Sequence, residues 1–288
     1  MASEDIRVLP IQAEDVPHVA QFLNTHLNSR PGITAWTRLM EPPWSSNAPN
    51  SGFRLVNGST GIVGAYVGVY SERVIDGATH RFCNLGAFCV LPEFRAHSFR
   101  LLRSMLAQRG FEFTDLSPSG NVIALNERLG FSRLEGTTTL VPNLPRLTRR
   151  TIQISEDLGV IRKTLRGEDL TIFHDHRLAP AARHILAYSK DSYAYLVYRR
   201  DRRKRLPIFA SPLYIGGDHD LLRRSWGQLT SRLLRHGLLA TLAESRLLGY
   251  TPKGVWTLQN PRPKMVRSKL VAGADIDYLY SELTLLEW

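Results

Sequence analysis

The chain has 288 residues, 43% hydrophobic and 22% charged, which is room for about two globular domains at roughly 150 residues each and excludes disorder as the main state. Its longest apolar stretches, such as 61–70 and 238–243, fall far short of the roughly 20 residues that span a bilayer, and the acidic start Met1-Ala2-Ser3-Glu4-Asp5 is unlike a signal peptide, so a cytoplasmic protein without a transmembrane segment is expected. The net charge of +11 is uneven, with 15 Arg against 12 acidic residues in 1–150 and 22 basic against 14 acidic in 151–288, and it suits an anionic partner: a cofactor's phosphates, an acidic carrier protein, nucleic acid or a membrane surface.

Residues 6–9 read as a short strand, and 14–27 as an amphipathic helix with Val16, Val19, Ala20, Leu23 and Leu27 at helical spacing. Residues 41–52, with Pro42, Pro43 and Pro49, form a loop. Strands follow at 53–56 and 61–70, joined by the turn signal Asn57-Gly58-Ser59, and at 84–90, where Pro92 stops the strand. Cys83 and Cys89 share that last strand about 20 Å apart, too far to bridge, and read as reduced thiols. A helix over 99–108 carries Leu101, Leu102, Met105 and Leu106 and ends at Gly110. A strand at 111–116, a helix at 121–129 stopped by Gly130-Phe131, and a last strand near 137–141 complete a β, α, ββ, β, α, β, α, β order.

Residues 142–151, with Pro142, Pro145, Arg146, Arg149 and Arg150, look like a linker, dividing the chain into domains at 1–141 and 152–288. Beyond it, strands at 193–198 and 206–215 flank a basic turn, a helix carries Leu221, Leu222, Trp226, Leu229, Leu233 and Leu234 on one face, and strands follow at 238–243 and 277–286. Strand, turn, strand, long helix, strand thus recurs in both halves, as a duplicated scaffold would give.

The informative segment runs from Asn84 to Leu102: an apolar strand, a tight turn with basic side chains, and a helix opening at the strand's end. Free N–H groups at such a helix start, with Arg95 and Arg100 beside them, suit a pyrophosphate, although most helix starts are simply solvated. Val90-Leu91-Pro92-Glu93-Phe94-Arg95 followed by a helix, and Asn126-Glu127-Arg128-Leu129-Gly130-Phe131 further on, resemble the two signature segments of the GNAT superfamily of acyl-CoA N-acyltransferases. The resemblance covers about residues 5–141 and implies an α/β fold on a mixed sheet, with the second half a degenerate copy.

What the resemblance implies for the site is specific. Acetyl-CoA or a longer acyl-CoA would be the co-substrate, held by Phe88, Cys89 and Val90 along the pantetheine arm and by Arg95, Ala96, His97, Ser98, Phe99 and Arg100 around the phosphates. A backbone N–H of that strand would polarise the thioester carbonyl, and an amine would attack to give a tetrahedral intermediate. The slot exists only if residues 87–90 part from the strand at 111–116. The family's turn glycines correspond to Ala96, Ser98 and Arg100, so the cradle lacks glycine's backbone freedom and Arg100 is placed to supply its guanidinium instead. The Tyr that protonates the leaving thiolate in many relatives corresponds to Asn126, which is no acid. For the general base, Asp115, Glu72 and His80 stand open, each also readable as a solvated turn residue; Ser117 and Ser119 line a thiol exit or simply make the turn around Pro118.

Other features carry less. His174-Asp175-His176, His184 and Asp218-His219-Asp220 supply metal-ligand residue types but match no zinc spacing, and they read as exposed groups near helix starts with no metal expected. The run Arg199–Arg205 reads as a solvated hairpin tip or a contact for phosphate or an acidic protein. Tyr193, Tyr195 and Tyr198 read as alternating on one strand face, a packed sheet face or a stacking platform for nucleic acid. The sequence therefore leads to an N-acyltransferase moving an acyl group from acyl-CoA, or from an acidic acyl carrier protein, to an amine. A Fem-type enzyme drawing on aminoacyl-tRNA and an inactive binding scaffold are the competing readings, and the basic excess of the second half favours a second, larger partner.

Overall fold

In a computed structural model the described residues are 5–58, 60–146, 151–203, 206–252, 256–258 and 261–287. By their contacts they fall into two units, the first made of residues up to Leu134 with 263–276 and 280–286, the second of 135–262 with 277–279 and the end of the chain.

The first unit is built on β1 (Ile6–Pro10), β2 (Gly52–Asn57), β3 (Gly61–Ile75), β4 (Ala78–Val90), β5 (Glu112–Asp115), β6 (Ser132–Arg133) and a late strand, Met265–Arg267. Strands β1 to β4 form an antiparallel ladder, β4 and β5 run parallel, and Met265–Arg267 enters between β5 and β6, antiparallel to both. Helices α1 (Val16–His26) and α2 (Ile33–Met40) belong to this unit, as do α3 (Ser98–Leu106), which makes the crossover between the parallel strands, and α4 (Gly120–Arg128). Nine consecutive residues of β3, 63–71, are buried, because both faces of the sheet are covered. Gly64 packs under Leu101 of α3, and Gly86 under Leu39 of α2. The expected apolar stripe of the first helix is buried at Val16, Val19, Ala20 and Leu23, whereas Leu27 lies past its end and is exposed. Gly130 ends α4 as expected, with a φ of +85° that disfavours any residue carrying a Cβ.

The second unit repeats these pairings. Its strands are β7 (Thr138–Pro142), β8 (Gln153–Ser155), β9 (Arg183–Tyr188), β10 (Tyr193–Arg203), β11 (Leu206–Gly217), β12 (Ala240–Glu244) and β13 (Trp256–Thr257), and the strand at 265–267 in the first unit is β14. From β8 to β11 the ladder is antiparallel, and β11 and β12 run parallel. Here β7 enters between β12 and β13, antiparallel to both. Helices α5 (Leu158–Thr164) and α6 (Gly167–His176) precede β9, and α7 (His219–Arg235) is the crossover, burying Leu221, Leu222, Trp226, Leu229 and Leu233. No helix among the described residues is long and apolar enough to cross a membrane.

Several expectations are corrected. The strand near 137–141, taken to close the first sheet, pairs in the second, and β14 occupies the corresponding place in the first. The stretch read as a linker begins pinned down: Asn143 is buried and donates to the Leu238 carbonyl at 2.8 Å, while 147–150 lie outside the described residues. Residues 277–286 are no strand, because Tyr280 takes a left-handed φ of +53° and the Ser281 hydroxyl then accepts from the Leu283 N–H at the start of α9 (Glu282–Leu285). Within the basic run β10 continues through Arg203, with Arg199 buried and Arg200 exposed; Lys204 and Arg205 lie outside the described residues. Tyr195 and Tyr198 differ by an odd number of residues and bury on opposite faces, Tyr198 with Ala194 and Leu196, Tyr195 against His184.

Candidate active site

The parallel pair β4 and β5 stays in register from Phe82 with Glu112 to Asn84 with Thr114, and then pairing stops. Strand β5 ends at Asp115, whereas β4 runs on to Val90 bonded to β3 alone, past a bulge at Gly86 where Ala87 faces Val67 and Leu85 faces Gly68. The parting on which a slot depends is therefore present. Beyond β4 the Leu91 N–H donates to the Val63 carbonyl at 2.9 Å, toward β3. Strand alternation then turns the N–H groups of Val90 and Phe88 the other way, onto the side that β5 has left. The Phe88 ring stands partly exposed there with its edge on Tyr66 at 4.7 Å between centroids, and Cys89 is half-buried.

The turn after β4 is less open than a glycine cradle. Residues Pro92–His97 form a 3-10 helical turn that runs directly into α3; Phe94 donates to the Leu91 carbonyl, and the Ser98 N–H to that of Arg95. Side chains at 96, 98 and 100 favour this winding, which uses up N–H groups that a glycine turn would leave free. The Arg100 guanidinium donates to the Ile6 carbonyl at 2.9 Å and lies 3.4 Å from His97 Nδ1, so much of its donor set serves the packing of α3 on β1. Arg95, by contrast, is exposed and makes no ion pair among the described residues.

Where the parallel strands part, a buried polar cluster fills the floor. Thr114 Oγ1 donates to Asn84 Oδ1 at 3.0 Å, and Asn84 Nδ2 donates to Glu282 Oε2. Ser117 Oγ donates to the other oxygen of Glu282 at 2.5 Å. Asn126 Nδ2 donates to Asp115 Oδ2 at 2.8 Å and sits 3.8 Å from the Met265 sulfur, while its Oδ1 has no partner among the described residues. Asn84, Thr114, Asp115, Asn126 and Glu282 are all buried, and Ser117 is half-buried. Burial raises the Asp115 carboxyl from its ordinary value to about 7, with the nearby charge of Glu282 adding to the rise and the bonds from Asn126 and the Ser117 N–H opposing it. The Tyr66 hydroxyl is pushed up by burial first, then by Asp115 and Cys83.

Two predicted residues, Asp115 and Asn126, are thus in direct contact, with Asn126 positioning the carboxylate rather than supplying a proton. Glu72 and His80 stand near the hairpin end of the sheet; His80 is four residues before the parting point at Asn84, roughly 13 Å along the strand. Ser119 precedes α4 without a side-chain capping bond. The reading missed Glu282, Asn84 and Thr114. Polar residues inside apolar runs, Asn84 between Cys83 and Leu85 and Glu282 within 276–286, were the available signal, because a buried polar group needs a partner.

In the second unit, Asp218 caps α7 by accepting from the Asp220 and Leu221 N–H groups. His176 bonds back to the Ile172 carbonyl, and burial holds the His184 imidazole down at about 4. Among the described residues no three His, Cys, Asp or Glu side chains gather as a metal site would.

No protein-family model matches the chain, and no curated protein matches it. Solved structures do. A candidate N-acyltransferase from Enterococcus faecalis aligns with a TM-score of 0.58 at 12% identity, covering 91% of this chain and 72% of its own. A GCN5-related N-acetyltransferase from Anabaena variabilis gives 0.56 at 9% identity over 91% and 72% of the two chains. A candidate acetyltransferase from Pyrococcus horikoshii gives 0.54 at 12% identity over 98% and 97%. The GNAT fold is thereby shown.

Proposed function

We propose that the first unit is an N-acyltransferase taking an acyl group from acyl-CoA and passing it to an amine. The observation that supports this most is the parting of β4 from β5 after Asn84 and Thr114, which leaves the N–H groups of Phe88 and Val90 facing an open edge. An extended pantetheine arm, carrying its own amide groups, would complete that edge as a further strand does. Arg95 would meet the phosphates at the mouth, with Arg100 contributing what its bond to Ile6 leaves free.

In this reading the amine nitrogen attacks the thioester carbonyl carbon. A backbone N–H of β4 stabilises the oxyanion, the C–S bond breaks, and the thiolate leaves to take a proton from solvent. With Asn126 in the place of a tyrosine, the chain offers no acid there for the leaving thiol. The buried carboxylates of the cluster supply the general base, and Asp115 among them is raised by burial to near neutral pH and held by Asn126. The second unit, whose strands pair in the same order, is in this proposal a degenerate copy, and its basic excess serves a larger acidic partner such as an acyl carrier protein. Isothermal titration with acetyl-CoA and longer acyl-CoAs tests the reading: micromolar binding with one site per chain is expected, and no binding at millimolar concentration by any of them overturns it.

A further inference from the structure

The site described so far draws its base from β5, but a second carboxylate reaches the same place from the end of the chain. Glu282 is wholly buried at the start of α9, with one oxygen bonded by Asn84 Nδ2 and the other by Ser117 Oγ. Of the six residues in the cluster, Ser117 is half-buried and the other five are buried. The Ser117 hydroxyl gives its proton to Glu282, and its place two residues after the end of β5 sets it where the parallel strands part.

We infer that Ser117 and Glu282 form the route by which the acceptor's proton leaves: the amine nitrogen gives its proton to Ser117 Oγ as Ser117 Oγ–H gives its own to Glu282 Oε1. This rests on the acyltransferase reading and deepens it. The balance is complete: one N–H bond breaks as the new N–C bond forms, Ser117 ends as it began, and Glu282 becomes the neutral acid until solvent reclaims the proton through Ser117. Asp115 takes a different part in this scheme. Burial, with the nearby Glu282 charge adding to it, raises the Asp115 carboxyl to about 7, and the carboxylate that Ser117 bonds is that of Glu282. Asn84 holds the Glu282 carboxylate and Thr114 in turn holds Asn84, making both positioning residues. Tyr66 on β3 is a titratable group facing the pair, and burial, with the Asp115 charge adding to it, raises its hydroxyl so that it stays neutral at physiological pH.

The test compares the full chain with its Ser117→Ala, Glu282→Gln, Glu282→Asp and Asp115→Asn variants. Acetyl-CoA binding is measured by calorimetry, and thiol release is followed from pH 6 to 9.5 with n-butylamine as acceptor and, in parallel, with water, whose attack on the thioester needs the same proton acceptor. Ser117→Ala and Glu282→Gln are expected to lower kcat at pH 7 about 100-fold with donor affinity changed less than twofold. Their rates should recover as pH rises toward the pKa of the free amine, and Glu282→Asp should restore part of the activity. A purely structural role would lower donor binding and kcat together and leave the profile's shape unchanged. Wild-type kcat and pH profile in Glu282→Gln, with the donor bound, overturn the relay while the acyltransferase reading stands. Failure of the wild-type chain to bind any acyl-CoA overturns both.

Discussion

Replacing Asp115 by Asn removes a carboxyl that burial and Glu282 raise from 3.8 to about 7. Below about pH 4 this group is protonated in the folded and the unfolded chain alike, and the difference between the states is nil. Between about pH 4 and 7 the unfolded chain gives up the proton and the folded chain keeps it, so stability falls as pH rises, and above about 7 the loss is complete. At about 1.4 kcal/mol per pH unit, a gap of about three units amounts to about 4 kcal/mol. The Asn side chain has no proton to lose, and its amide oxygen can still accept from Asn126 Nδ2. Asp115→Asn is therefore expected to match the wild type near pH 4 and to exceed it by several kcal/mol at pH 8.5, while losing activity. Urea unfolding followed by fluorescence, with Trp36 and Trp44 buried in the same unit, measures the difference at each pH. Stability curves of the two proteins that run parallel from pH 4 to 9 would refute the perturbed carboxyl.

The two arginines of the turn should separate. Arg95→Ala is expected to weaken acetyl-CoA binding about tenfold at unchanged melting temperature, whereas Arg100→Ala should lower stability by about 1 kcal/mol through the lost bond to Ile6; calorimetry and thermal unfolding distinguish them. Both thiols should resist Ellman's reagent at pH 8, because burial pushes Cys83 up to about 12 and raises Cys89 as well. Half-buried Cys89 should react slowly and be protected by acetyl-CoA, and Cys83 should react only after unfolding; rapid labelling of both in the native state would contradict the packing of β4. His184, held down at about 4, should show no ring titration by NMR between pH 8 and 5.5. Because the unfolded chain binds a proton there that the folded chain refuses, this residue makes stability rise with pH from about 4 to 6.5, by about 3 kcal/mol, and His184→Gln should flatten that slope.

The stretch from Asn84 to Leu106 is readable in sequence because every instruction in it is local. An apolar strand, Pro92 as its stop, and leucines at helical spacing suffice for a strand, a turn and a helix wherever the unit is placed. The same holds for Gly130, whose left-handed backbone ends α4 without help from any distant residue. Strand membership is a different matter. Thr138–Pro142 has the composition of a strand and nothing in it names a partner, so chain order suggests the first sheet while the ladder to Ala240–Glu244 is formed in the second. Met265–Arg267 is three residues long and sits among prolines and charges, too short for period-2 alternation to show, yet it completes the edge beside Asp115.

The site divides along the same line. Asp115 can be proposed from sequence as the polar end of a strand, and Asn126 from the resemblance of 126–131 to the family's segment. Glu282 lies 165 residues from Ser117, and no periodicity links them. What marks it is a mismatch: a carboxylate inside a largely apolar run, preceded by Tyr280 in a conformation that residues other than glycine seldom adopt. Read alone, the carboxylate suggests an exposed turn and the tyrosine an irregular loop. Read together, they describe a chain bent away from extended structure at the one place where a buried acid must be set down beside a hydroxyl. That bend accounts for the failure of the expected terminal strand, and it also delivers Glu282 to Ser117, so the error in the fold and the omission in the site have one cause.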